Sequence, residues 1–327
     1  MRRPHLLVPV LLALVLCAAA PLLRAAEPRE LQVNTADGSR RALLVEGGSG
    51  TARRPLVLLF HGHGGSVENV LGSGGLAPSP LSSWVEIARR EGLLVVALEG
   101  LKGSDHQRGW RDCRADADDN QPVADDLAFA RGVVDKLVQA GLADPTRLYA
   151  MGMSNGGMMV LRLGLQMPQL AAITAVSASM ASASRCPESP RADMAMLLIS
   201  GDADPLVPFA GGQVGFRKAR PRGGVIPVPD VFARWTRAHG QDPAAATEQV
   251  LKPSLAGDRT VARLRFTGTS LAASDVAFVQ VVGGGHVEPS LAHRYGGLYL
   301  SLVGPQSAAF ESAELAWTFF RDKRRAP

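Results

Sequence analysis

Apolar residues in this chain gather in short continuous runs, and stretches with helical spacing separate the runs. The run at 55–60 (PLVLLF) is apolar throughout, as expected of a strand buried on both faces of a parallel sheet. Similar runs predict strands at 93–98, 147–151, 173–177 and 194–200. Residues 260–266 and 276–282 alternate as strands do, and 30–45 reads as one or two short edge strands. Periodicity near 3.6 predicts helices around 83–91, 123–140, 155–166 and 229–238, with 307–324 as a closing helix. Residues 101–122 are polar and irregular. Repeated strand–helix units with buried strands imply an α/β architecture, a mostly parallel central sheet with helices on both faces. No internal repeat and no Ser/Thr/Pro-rich linker interrupts the pattern. Residues 27–327 are therefore expected to form a single domain.

The N-terminus follows a different rule. Arg2 and Arg3 precede an uncharged apolar run at 6–23, broken by Pro9 and Pro21 and followed by Ala25 and Ala26. That order is the pattern of a secretory signal, so residues 1–26 are expected to be a signal peptide. The run could also just span a bilayer, but its prolines and alanine-rich exit favour cleavage. A secreted or periplasmic protein with no stable membrane anchor is the expectation. Loss of Arg2, Arg3 and Arg24, with no acid among those residues, lowers the formal charge by three, from +5 to +2. The remaining arginines are interspersed with aspartates and form no basic stripe, which excludes a nucleic-acid partner. Loss of Cys17 leaves Cys113 and Cys186, an even pair that an oxidising compartment would join as a disulfide. Two buried thiols are the alternative. Neither cysteine has metal-ligand spacing to another cysteine or to a histidine, so neither a metal nor a cofactor is expected.

Candidate chemistry centres on Gly152-Met153-Ser154-Asn155-Gly156, a G-x-S-x-G pattern. The bare pattern is weak, but here it follows an apolar strand and opens a helix, the arrangement of a nucleophile elbow. Flanking glycines permit a cramped turn that lifts the Ser154 hydroxyl off the sheet. The Asn155 N–H then sits at a helix N-terminus, where an oxyanion would form. A serine needs a base and an orienting acid, which in this architecture follow it in the order acid, histidine. Of the histidines downstream, His239 stands at a helix end and His293 in an unplaced segment. His286 follows the strand at 276–282 and three glycines, whose flexibility would let its ring reach the serine. The acid belongs after the strand at 194–200, where Asp202 and Asp204 both stand. Asp204 is better placed to point inward, and Asp202 to bond within its own turn. A second oxyanion donor is expected in His61-Gly62-His63-Gly64-Gly65, with the His63 N–H the candidate. The two histidine side chains alone make a poor metal site.

These motifs carry a resemblance. The chain resembles secreted α/β-hydrolases of the polyhydroxybutyrate depolymerase-like and feruloyl or acetylxylan esterase-like group. The likeness runs from Pro55 to Arg321 and rests on FHGHGGS, VADDLAFARGVVDKL, DPTRLYAMGMSNGGMM, GDADPLVPFAGG, ARWTRAHG, VVGGGHVEPS and AWTFF, in that order. It implies a catalytic set of Ser154, Asp204 and His286, which favours Asp204 over Asp202. Where the family usually has Trp-Pro after the histidine, this chain has Glu288-Pro289. Where it often has cysteine, this chain has Gln241. Aromatic residues are 5% of the chain, so no flat aromatic platform for a polymer is evident. The expected activity is carboxylic-ester hydrolysis through an acyl-enzyme. The expected partner is a small ester or a hydroxyalkanoate oligomer. A peptidase or acyl transferase on the same scaffold is the alternative within the fold. A non-catalytic binding protein is the alternative outside enzymes.

Overall fold

The computed structural model describes residues 27–325, apart from 49, 51, 75–77, 118–120, 188, 216–221 and 254. Residues 1–26, expected from the sequence to be a signal peptide, lie outside the described residues. Ten strands form one sheet: β1 (Arg29–Thr35), β2 (Gly38–Glu46), β3 (Arg54–Phe60), β4 (Leu94–Leu98), β5 (Ala143–Met153), β6 (Ala172–Val176), β7 (Ala195–Gly201), β8 (Thr247–Leu251), β9 (Val261–Phe266) and β10 (Val276–Val282). Their order is β1-β2-β4-β3-β5-β6-β7-β10-β9-β8. The six strands from β4 to β10 in that order are parallel to their neighbours. Antiparallel pairs, β1-β2 on one side and β9-β8 on the other, finish the two edges.

Among the described residues seven α-helices accompany the sheet: α1 (Val67–Leu71), α2 (Ser83–Glu91), α3 (Asp126–Gln139), α4 (Asn155–Gln166), α5 (Val228–Ala238), α6 (Gly297–Val303) and α7 (Ser312–Phe320). Successive side chains of a strand point to opposite faces, so each buried strand feeds two cores. In β3, Leu56, Leu58 and Phe60 join Phe129 of α3, Met159 of α4 and Phe232 of α5. Val57 and Leu59 of the same strand join Trp84 of α2 and Trp317 and Phe320 of α7. Both faces of β3, β4, β6 and β7 are fully buried, which explains their unbroken apolar runs. This is an α/β-hydrolase architecture with helices on both sides of a mostly parallel sheet.

Three boundaries differ from the sequence expectation for identifiable reasons. α3 starts at Asp126 because the Asp125 carboxylate caps it, accepting from the Ala128 N–H at 3.0 Å. Val123, assigned to that helix by periodicity, is exposed in the preceding loop. α7 starts at Ser312, five residues later than expected. Ser307 upstream of it is instead bonded to Thr260, Oγ to Oγ1, at 2.7 Å. β5 is longer than expected and begins at Ala143, ahead of the Asp144-Pro145 pair. Among the described residues, no helix is long and apolar enough to cross a membrane.

Candidate active site

The turn between β5 and α4 is set by two glycines. A Cβ on Gly152 would lie 2.4 Å from the Gly156 carbonyl oxygen, and one on Gly156 would lie 2.3 Å from that of Phe60. Strand, helix and the end of β3 thus meet backbone against backbone. Ser154 between them adopts φ +57°, ψ −125°, in the left-handed half of the map where side chains are rare. Its N–H donates to Val176 O at 2.8 Å, and its carbonyl accepts from the Met158 N–H at 2.9 Å. The strained turn is therefore fixed by the neighbouring strand and by the helix that it opens.

The Ser154 hydroxyl faces His286, with Oγ 2.8 Å from Nε2. The other ring nitrogen, Nδ1, is 2.7 Å from Asp204 Oδ2. Asp204 Oδ1 accepts from the Leu206 and Val207 N–H groups, both at 2.8 Å, so the carboxylate is held on three sides. Asp204 and His286 are buried, and Ser154 is partly exposed. The acid follows β7 and the histidine follows β10, adjacent strands whose C-terminal ends point the same way. Asp202 turns elsewhere: it accepts from the Gly283 N–H at 2.7 Å and from Gln280 Nε2 at 3.0 Å. His239 ends α5, with Nδ1 2.9 Å from Trp235 O. His293 is partly buried, with Nε2 3.4 Å from Ser82 Oγ.

Two of the three glycines ahead of His286 serve close packing, whereas the sequence reading assigns them flexibility; the first, Gly283, adopts φ +73°. A Cβ on Gly285 would lie 2.2 Å from Val303 O, and one on Gly284 would lie 2.5 Å from Val281 Cγ1. The Gly285 N–H donates to Pro305 O at 2.8 Å and the His286 N–H to Val303 O at 2.6 Å. The histidine is pinned through its backbone to the end of α6.

The loop after β3 also reaches Ser154. A Cβ on Gly62 would meet the Ser154 Cβ at 3.5 Å, so this loop lies against the serine. Among the described residues the His63 N–H has no acceptor, and its ring is bonded through Nε2 to Asp105 Oδ2 at 2.8 Å. Burial, and then the nearby Arg222 charge, push the His63 imidazole below its ordinary range. His61 is internal: its Nδ1 is 2.7 Å from Gly62 O, and Nε2 accepts from the Gly100 N–H at 3.0 Å. Burial pushes its pKa down to about 4, so the ring is neutral. Among the described residues no cluster of three metal-ligating side chains exists.

Sequence reasoning missed what fixes the start of α4. The Asn155 side chain accepts from the Trp110 N–H at 2.7 Å and donates to Trp110 O at 3.0 Å and to Asp112 Oδ2 at 2.9 Å. Asp112 is fully buried. Burial alone would push its carboxyl up, but the Arg114 charge and hydrogen bonds from Arg114 and Gln121 hold it below the usual range. The next residue, Cys113, is bonded to Cys186. No local pattern in the irregular 101–122 stretch could have shown this, because its partners are distant in sequence.

A cleft of about 850 Å³ opens above Ser154. Leu81, Val70, Met158, Leu206 and Val207 supply apolar wall, and Leu298 and Tyr299 of α6 stand at its rim. Glu288 lies in that wall, not at an open mouth, and is only 2% exposed.

Comparison with known proteins agrees with this geometry. The family described as phospholipase/carboxylesterase matches residues 45–216, and the chain belongs to it. The protein is an esterase-type α/β-hydrolase, a carboxylic ester hydrolase. NocK of Nocardia uniformis subsp. tsuyamanensis, an esterase by name, is 32% identical over 271 residues, 81% of this chain and 74% of NocK. Feruloyl esterase B of Piromyces equi is 26% identical over 201 residues, 59% of this chain but 34% of that protein. A thermostable esterase of known crystal structure shares the fold, with a TM-score of 0.53 at 13% identity, over 91% of this chain and 63% of the other.

Proposed function

We propose that this protein hydrolyses carboxylic esters with Ser154 as nucleophile, through an acyl-enzyme. The observation that carries the reading is the unbroken relay Ser154 Oγ, His286 Nε2, His286 Nδ1, Asp204 Oδ2, at 2.8 and 2.7 Å, beneath an open cleft. Ser154 attacks the ester carbonyl while His286 takes its proton; His286 then gives that proton to the departing alcohol. Asp204 holds the ring in the productive tautomer and stabilises the imidazolium. The N–H groups of His63 and Asn155 receive the oxyanion, the latter aided by the dipole of α4. Water, deprotonated by His286, attacks the acyl-enzyme and releases the acid.

The cleft suits an ester with an acyl or alcohol part of modest size, such as a feruloyl or acetyl ester or a hydroxyalkanoate oligomer. The Cys113–Cys186 bond supports an oxidising, extracytoplasmic setting. The same reading takes residues 27–327 as one catalytic domain behind a cleaved signal. Ser154→Ala is expected to lower kcat on p-nitrophenyl butyrate by about 10⁶ with the fold retained. A clean preparation that keeps more than a few per cent of wild-type activity removes Ser154 from this role. Comparing feruloyl esters, acetylated xylan, hydroxybutyrate oligomers and simple acyl esters then ranks the substrates.

A further inference from the structure

We infer that Ser79, Glu288 and Tyr295 form a subsite in the cleft wall that binds a hydroxyl group carried by the ester substrate. The inference rests on the ester-hydrolase reading of the same cleft and adds to it what the substrate carries.

All three residues line the cleft. Ser79 Oγ donates to Glu288 Oε1 at 3.1 Å, and the Tyr295 hydroxyl donates to Oε2 at 3.2 Å. Gln306 Nε2 donates to the Glu288 main-chain carbonyl at 2.9 Å, which fixes the residue where the chain leaves His286. Among the described residues no Lys, Arg or His forms an ion pair with Glu288. Burial pushes the Glu288 carboxyl above the usual carboxylate range. The Ser79 and Tyr295 hydroxyls, each able to give one proton and accept another, together with the Glu288 oxygens between them, offer a ligand both donors and lone pairs. That set matches a hydroxyl, which also gives one proton and accepts another. The trio holds no positive charge that would receive a substrate anion.

The surroundings fit a carbon skeleton bearing such a group. Leu81 and Leu298 line the same cleft, and the Tyr295 and Tyr299 rings pack at 4.8 Å between centroids, tilted by 47°. Glu288 is two residues beyond His286, so the trio lies on the histidine side of Ser154, where the leaving oxygen takes its proton. The hydroxyl can belong to the alcohol part of the ester or to its acyl chain.

Two matched pairs of esters distinguish these sources. Propyl butyrate against ethylene glycol monobutyrate varies the alcohol, and methyl butyrate against methyl 3-hydroxybutyrate varies the acyl chain. Wild-type enzyme is expected to favour the hydroxylated member of one pair in kcat/KM by roughly five- to tenfold, the worth of one hydrogen bond. That pair identifies the source. Tyr295→Phe and Glu288→Leu should each bring the ratio towards one. Glu288→Gln should keep it, since the amide also offers a donor and an acceptor there. Tyr295 is partly exposed, so Tyr295→Phe supplies the reading even where Glu288→Leu does not fold. The proposal is overturned if wild-type enzyme distinguishes neither pair, or if folded Tyr295→Phe keeps the wild-type ratio. Equilibrium binding of the same esters to Ser154→Ala reads the subsite without turnover. Wild-type enzyme that cleaves none of the four esters overturns the hydrolase reading, and the binding ratios still decide the subsite.

Discussion

Two aspartates stand within three positions at the end of β7, and their neighbours separate them. Asp204 accepts two backbone N–H bonds and meets the His286 ring, whereas Asp202 accepts from Gly283 and Gln280. Asp204→Asn is expected to lose about 10⁴ in kcat at a near-normal melting temperature, because only the histidine tautomer is disturbed. Asp202→Asn should keep activity within about tenfold and lose roughly 1 kcal/mol of stability. Parallel kinetics and melts on both variants decide the assignment, and a dead Asp202→Asn would reverse it. His61 gives a second test at the same scale. Its folded pKa, about 4, lies below the ordinary value of 6.5. The unfolded chain therefore binds the proton first as pH falls. Stability is complete above pH 6.5 and declines towards pH 4, by roughly 3 kcal/mol from this residue. His61→Asn, unfolded by urea at a series of pH values, should lack that part of the slope. Curves parallel to wild type would mean that His61 is not buried neutral.

Elements show what a sequence reveals and what it hides. The elbow was legible because Gly152, Ser154 and Gly156 fall within five consecutive residues between an apolar strand and a helix. β8 was not, since all its residues but the last are exposed and its register comes only from pairing with β9. α6 was missed for a related reason: of its seven residues only Val303 is buried, while Leu298 and Leu302 point outward. Amphipathic spacing cannot reveal a helix that does not bury one face. The loop between β4 and α3 depends on contacts across the chain. It is fastened by the Cys113–Cys186 bond and holds Asn155 through Trp110 and Asp112. Reducing the bond is expected to lower stability by roughly 4 kcal/mol, given a sequence separation of 73 between the cysteines. It should lower kcat as well, since the amide at the head of α4 loses its support. Melts and initial rates with and without reductant test both. Unchanged melting with two titratable thiols in oxidised protein would show that the cysteines are unpaired in solution.

At the scale of the molecule, the sheet's interior was readable and its periphery was not. Strands buried on both faces, such as β3 and β4, leave unbroken apolar runs, and those runs order the sheet's middle where Ser154, Asp204 and His286 emerge. The burial of Glu288 was not readable, because its partners Ser79 and Tyr295 come from segments without periodicity. The relay joins residues 132 positions apart in one contact and 82 in the other. A nascent chain halted before β10 thus holds Ser154 and Asp204 but lacks His286, the base of the proposed mechanism. Such long-range closure comes late in folding, after loops of great length have been drawn in. On the proposed mechanism the chain is therefore expected to be inert towards esters until His286 has been made and β10 has paired with β7.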